Sequence, residues 1–103
     1  MKKNITLLST LLTFSFNFAQ VGINTSAPSA TLDVVSNVTD LTKPDGIMSP
    51  RVAKSDLISK TGAYSTPQMS AIVYVTDASA ASTDNKFINI DDVGYYYFDG
   101  TIW

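Results

Sequence analysis

The sequence predicts a mainly β fold of short strands, one short helix and a C-terminal β-hairpin, after an N-terminal signal-peptide helix. Three observations predict it. Aromatic residues fill positions 95–98 and are followed by Asp99-Gly100 and Thr-Ile-Trp, and Asp-Gly between two such runs is a strong hairpin signal. All nine acidic residues are Asp, a poorer helix former than Glu. The strands are apolar on both faces, so we expect oligomerisation to complete the fold.

Residues 1–19 have the pattern of a signal peptide. Lys2 and Lys3 give a basic start, residues 5–19 are mostly apolar, and Ala19 is the small residue before a cleavage site. The apolar run is shorter than the roughly 20 residues that a membrane-spanning helix needs. We therefore expect an exported, extracellular or cell-surface protein that contacts membrane only during export. The alternative is a buried helix of a cytosolic domain.

Length and composition limit what the chain can do. Its 103 residues allow one small domain, and it contains neither Cys nor His. Small exported domains often add disulfides to a thin core, so the remaining way to stabilise this one is association with further copies of itself. The net charge is −2 and becomes more negative once the leader's lysines are removed. An acidic chain lacks the basic face that binds nucleic acid.

Residues 20–45 are predicted to form a first strand and a polar linker. Residues 24–29 are polar and turn-forming, with Pro28 among them. Residues 31–35 alternate, with Leu32 and Val34 on one side, and so predict a short strand. The linker then runs to a turn at residues 43–46.

Residues 46–103 are predicted to form a small β-rich module. Pro50 makes residues 46–52 an edge strand or an extended segment. A helix is expected over residues 55–62, with Ser55 as its N-cap and Gly62 as its end.

The second half of this module contains the clearest strand. Residues 71–77 are apolar on both faces, which is typical of a strand buried on both sides. Residues 78–86 are expected to be a surface loop, and residues 87–90 a further short strand. In the hairpin, Tyr95 and Tyr97 point to one face and their neighbours Tyr96 and Phe98 to the other.

Two stretches resemble a known family. The first, VGINTSAPSATLDV at residues 21–34, resembles the GIGTTxPxAxLxV motif of exported bacterial surface proteins and phage tail-fibre-like proteins. The second comprises GIMSPRV, AIVYVTD and YYYFDGTIW, in that order. The resemblance implies an elongated, β-rich and often homotrimeric fibre or adhesin. Members usually continue past the final Trp, so we expect this chain to be a fragment or a truncated reading frame.

No enzymatic chemistry is expected. The resemblance implies no catalytic residue, and without His or Cys the usual nucleophilic triads are impossible. Asp91 and Asp92 are adjacent, so on a strand they would point to opposite faces and could not flank one bond. Together with Asp84 and Asn85 they could supply oxygen ligands to Ca²⁺, but the spacing is not that of a calcium loop. We predict no catalytic site, cofactor or metal.

The candidate site is aromatic. Its residues are expected to form a subunit interface or a ligand-stacking surface: Tyr74, Tyr95, Tyr96, Tyr97, Phe98 and Trp103. Interfaces are enriched in aromatic residues, which favours contact between subunits, with three chains implied by the resemblance. The predicted function is therefore a non-enzymatic structural or adhesive module of an exported, fibre-like cell-surface protein. The alternatives are a small carbohydrate-binding module, in which Tyr64 joins these aromatics and binds a surface glycan, and an N-terminal fragment of a larger secreted protein.

The leader gives the first prediction. Because its apolar run is too short to remain in the bilayer, we expect the exported protein to begin near Gln20. Mass spectrometry of the secreted chain measures its first residue. Secreted protein that begins at Met1 would contradict cleavage.

Overall fold

The computed structural model describes Met1, Lys3 and residues 20–103, so nearly all of the predicted signal peptide lies outside the described residues. The chain divides into two compact units, Met1–Gly46 and Ile47–Trp103. The described residues form five short strands and one short α-helix, which confirms the mainly β fold class. No helix within this described part is long and apolar enough to cross a membrane.

The first unit contains a two-stranded parallel sheet. Strand β1 (Val21–Ile23) pairs with β2 (Leu32–Val34), with Val21 opposite Leu32 and Ile23 opposite Val34. The strand predicted over residues 31–35 is confirmed, whereas its pairing with β1 was not predicted from the sequence. The backbone N–H of Val35 donates to the carbonyl of Ile23 at 3.0 Å and extends the pairing by one bond.

The second unit is built on a three-stranded sheet in the order β3-β4-β5. Strand β3 (Arg51–Ala53) is parallel to the central strand β4 (Ile72–Asp77), and β5 (Gly94–Tyr97) is antiparallel to it. Both the edge position of β3 after Pro50 and the strand over residues 71–77 are thus confirmed. Helix α1 (Lys54–Ser59) follows β3 directly. Three short 3₁₀ helices complete the unit: Thr61–Ala63, Thr66–Gln68 and Asn85–Phe87.

Helix α1 lies where a helix was predicted, but its bounds and its caps differ. It begins at Lys54, so Ser55 is inside the first turn and Ala53 occupies the N-cap position without a side-chain hydrogen bond. Ala53 is also the last residue of β3. Because the strand runs directly into the helix, no residue remains between them for a Ser55 cap. Gly62 lies in the following 3₁₀ helix and does not end α1.

The strand predicted over residues 87–90 is wrong. The chain forms the 3₁₀ helix Asn85–Phe87 there, and the carboxylate of Asp84 accepts a hydrogen bond from the backbone N–H of Lys86 at 2.9 Å. Such a bond between an Asp side chain and a nearby backbone group competes with strand formation. Phe87 and Ile90 are both buried. Their apolar character therefore reflects packing within a turn, not a strand.

The prediction of a C-terminal β-hairpin is also wrong, because β5 pairs with β4 and residues 101–103 form no strand. The Asp99 N–H donates to the Ile102 carbonyl at 3.0 Å, as in a hairpin. The Asp99 carboxylate, however, accepts from the N–H groups of Thr101 and Ile102, both at 2.8 Å. With Asp99 and Gly100 as its central residues, the predicted hairpin would direct the Thr101 N–H to the Phe98 carbonyl. That carbonyl instead accepts from the Ser70 N–H at 2.7 Å. The chain instead leaves the turn toward Lys86, whose carbonyl accepts from the Trp103 N–H at 2.9 Å.

The core of the second unit lies between the inner face of the sheet, α1 and the C-terminal segment. Val73 and Val75 contribute the inner face of β4, and Leu57 contributes the buried side of α1. Four further buried side chains complete it: Phe87, Ile90, Phe98 and Trp103. Four of the seven thus come from outside any strand or α-helix: Phe87, Ile90, Phe98 and Trp103. The C-terminal turn is therefore part of the packing of this unit.

The Asp99 turn gives a prediction on pH. Hydrogen bonds from the backbone N–H groups of Ile102 and Thr101 hold the pKa of Asp99 below its ordinary value of 3.8. A lowered folded-state pKa stabilises the fold above the unfolded-state pKa, and this stabilisation is lost as pH falls through the folded-state pKa. NMR titration should place the Asp99 midpoint below 3.8.

The control is Asp99→Asn, which keeps an oxygen acceptor but removes the charge. It should retain the turn and lose that part of the acid dependence of unfolding. An Asp99 midpoint at or above the ordinary value would contradict the hydrogen bonds of the turn.

Candidate oligomerisation surface

One face of the three-stranded sheet points away from the core of its unit. Alternation along β4 and β5 places Ile72 opposite Tyr97 and Tyr74 opposite Tyr95, while Val73 and Val75 face the core. Arg51 lies beside Tyr74 on β3. We call these five residues the outer face: Arg51, Ile72, Tyr74, Tyr95 and Tyr97. It consists of a continuous apolar and aromatic surface with one charged residue at the side formed by β3.

The outer face is open within its own unit. The exposed fractions are 54% for Ile72, 62% for Tyr95 and 67% for Tyr97. Strand β5 is moreover an edge of the sheet, so in the described chain no further strand pairs with its free side. Contiguous exposed apolar patches mark interaction sites, and open strand edges invite pairing with other chains.

Tyr74 and Tyr95 hold each other in place on this face. Their rings make an edge-to-face contact with centroids 4.9 Å apart and planes at 74°, a preferred geometry for aromatic pairs. Beside them lies a mostly apolar groove of about 190 Å³, which is also lined by Met48, Ser49 and Arg51. The Ser49 hydroxyl oxygen is buried and makes no hydrogen bond within the described chain. The groove therefore has ordered aromatic walls.

The other three candidate residues lie on the inner side of β5 or beyond it. Phe98 and Trp103 are buried, and both contact Tyr64, at centroid distances of 5.8 and 4.8 Å. Half-buried Tyr96 packs against the core, and its hydroxyl donates to the Asp92 carbonyl at 2.9 Å. The six residues singled out in the sequence thus divide, with Tyr74, Tyr95 and Tyr97 on the outer face and the rest serving the unit's own packing.

Two lysines with a structural role were not singled out in the sequence. The Lys86 ammonium donates to the carbonyls of Thr61 and Tyr64, at 2.9 and 3.0 Å, and lies 5.8 Å from the centroid of the Phe98 ring. The Lys54 ammonium donates to the Ile90 carbonyl at 2.7 Å. Neither contact has a local sequence signal, because each joins residues more than 20 positions apart.

The acidic residues considered for chemistry have local hydrogen-bond partners, which are backbone N–H groups for two of them and a side-chain hydroxyl for the third. Asp84 accepts from Lys86 N–H, and the Asp92 carboxylate accepts from Val93 N–H at 2.7 Å. The Asp91 carboxylate lies 3.5 Å from the Tyr96 hydroxyl. Within the described ranges no group of three or more Asp, Glu, His or Cys side chains is placed to hold a metal ion.

The second unit is a small β unit whose sheet has one packed face and one open apolar face. Residues 20–103 match the family model of the phage tail like trimerisation region. The match covers most of the chain, and the chain belongs to this family. Comparison with curated proteins and with solved structures gave no significant match. The predicted resemblance to phage tail-fibre-like proteins is confirmed at the level of the family, which is structural and forms trimers.

The division between core and outer face can be tested with Phe98. Because Phe98 is fully buried, Phe98→Ala should lower the free energy of unfolding by roughly 3–5 kcal/mol. Urea unfolding, followed by the fluorescence of the single Trp, measures the change. Ile88→Ala, at a position 67% exposed, is the control and should change stability little. Equal effects of the two substitutions would show that Phe98 is not a core residue.

Proposed function

We propose that this chain is a structural or adhesive module of an exported, fibre-like cell-surface protein, held together as a homotrimer by the outer face. The observation that carries the proposal is the exposure of Ile72, Tyr95 and Tyr97 on a sheet whose other face is already packed. Membership of a trimerisation family supplies the partner, because a second and a third copy of the chain bring the same face. Export is supported by the signal-peptide pattern of residues 1–19.

Three properties of the outer face suit contact between copies. Tyrosine contributes a large contact area at a low cost in side-chain entropy, and interfaces are enriched in it. The Tyr74–Tyr95 pair is already ordered before association, so less entropy is lost there on binding. Arg51 at the β3 side is placed at the margin of the apolar residues, and interfaces usually have a polar rim around an apolar centre.

Glycan binding by the same aromatics is the second candidate. A surface pocket of about 310 Å³ beside β5 is lined by Tyr95, Tyr97, Asn89 and Asp99, a mixture of rings and polar groups that suits a sugar. The polar groups are, however, already engaged. The Asn89 amide donates to the Trp103 carbonyl at 3.0 Å, and one Asp99 oxygen accepts two backbone hydrogen bonds. This favours association of the chains over sugar binding.

Tyr97→Ala should weaken assembly. If Tyr97 is an interface hot spot, its truncation costs about 2 kcal/mol, which is roughly thirtyfold in the dissociation constant. Tyr95→Ala should act in the same direction. Light scattering over a dilution series at micromolar concentration measures the mass of the wild type and of each variant.

A charged pair of substitutions supplies the matched control. Ile72→Lys places a charge in the outer face, whereas Ile88→Lys places the same charge at a position of similar exposure outside it. We expect Ile72→Lys to dissociate the trimer and Ile88→Lys to leave it intact. A wild-type chain that is a folded monomer throughout the series would overturn the proposal. Glycan-array binding that is lost in Tyr97→Ala while the trimer persists would favour the second candidate.

A further inference from the structure

The two faces of the β1–β2 sheet in the first unit differ. On one face the connection between the strands folds over Gly22, where an added Cβ would overlap the carbonyl oxygen of Thr25 and lie 3.0 Å from Pro28 Cγ. On the same face the Asp33 carboxylate accepts from the Ser29 N–H at 2.8 Å. A turn of the same chain therefore approaches this side of the sheet closely, although Gly22 itself remains exposed.

The opposite face consists of four aliphatic side chains, which we call the aliphatic face: Val21, Ile23, Leu32 and Val34. The parallel register sets Val21 beside Leu32 and Ile23 beside Val34, so the four side chains form a continuous surface without a charged or polar residue. Their exposed fractions are 54%, 48%, 51% and 36% in the same order as the list. About a third to a half of each residue therefore remains open to solvent.

Such a sheet is too small to be stable with this face in water. Each strand has three residues, and an isolated two-stranded sheet is marginal even when its strands are longer. Parallel sheets are moreover found almost only with both faces covered, and their pairing is slightly less stable per residue than antiparallel pairing. The four aliphatic side chains are the largest apolar surface of this sheet, so a stable sheet needs a partner on the aliphatic face.

We propose that the aliphatic face packs against the same face of the other copies of the chain, so that residues 21–34 form a second trimer contact. This inference rests on the proposed homotrimer. The family match begins at residue 20, so β1 and β2 lie inside the trimerisation region and are not a linker that precedes it. A face with no charge or hydrogen-bonding side chain is complementary to itself, since three copies around an axis bury only aliphatic groups. Asp33, the charged residue of β2, lies on the opposite side of the sheet, away from this contact.

The chain contains no Cys, so single cysteines report the contact without interference. Val34→Cys lies on the aliphatic face, and Val38→Cys makes the same substitution at a position of the same unit that is 77% exposed. Ile23→Cys tests a second position of the face. The full 103-residue chain is expressed in bacteria, so that any processing takes place, then oxidised mildly and run on a non-reducing gel.

Val34→Cys or Ile23→Cys should form disulfide-linked dimers, whereas Val38→Cys should not. In a three-fold assembly one disulfide joins two of the three cysteines, so about one third of the thiols should stay free. Light scattering of the unoxidised variants shows whether each still assembles. The fluorescence of the single Trp, which lies in the second unit, shows whether that unit is folded.

Three outcomes would overturn the inference. Trimers without a disulfide at either position would show that the aliphatic face lies outside the contact, and they would leave the proposed function standing. Equal cross-linking of Val34→Cys and Val38→Cys would show random collision. Protection of both face positions in a chain that is a monomer by light scattering would mean that another segment of the same chain covers the face, and it would contradict the proposed function as well.

Discussion

The packing of Tyr64 against Phe98 and Trp103 is the contact on which the second unit depends. It joins the segment after α1 to the C-terminal turn, and the rings meet edge-to-face at centroid distances of 4.8 and 5.8 Å. Lys86 supports the same contact, because its ammonium donates to the Tyr64 carbonyl while its own carbonyl accepts from Trp103 N–H. A unit of this length buries few side chains, and aromatic residues bury the largest area each. Its C-terminal segment therefore serves as core.

Only the side chains on one side of β5 and of the residue that follows it pack into this core, and this accounts for the outer face. Phe98 and Tyr96 face inward, so strand alternation necessarily turns Tyr95 and Tyr97 outward. Along β4, Ile72 and Tyr74 continue the same surface. A monomer would need only one apolar face, with polar residues on the other. The second apolar face is accounted for if the strands have a partner, and the family to which the chain belongs forms trimers.

Local patterns predicted those parts of the fold that depend on local physics. The sequence predicted the apolar strand β4, the alternating side chains of β5 and the edge position of the strand after Pro50. The first two follow from side-chain direction along a strand, and the third follows from the absence of a backbone N–H in proline. The failure of the Asp-Gly hairpin was not predicted, because the rule considers backbone preference and leaves out the Asp99 carboxylate, which accepts the hydrogen bond from the Thr101 N–H that would close the turn. Other features depend on contacts between residues that are distant in the sequence. These are the pairing of β1 with β2, the hydrogen bonds of the Lys86 and Lys54 ammonium groups, and the burial of Trp103. Of the candidate site, the sequence predicted the residue type and the alternation, but not which of the aromatics the core would bury.

The two units have different internal structures but share one physical property. In the second unit one face of the sheet is covered by α1 and the C-terminal turn, and in the first a turn of the same chain approaches one face at Gly22. In each, the other face is apolar and open, aliphatic in the first and largely aromatic in the second. The sequence contains neither Cys nor His, so neither disulfides nor a metal site with Cys or His ligands can stabilise these units. Association with further copies, as in the family to which the chain belongs, would cover both open faces.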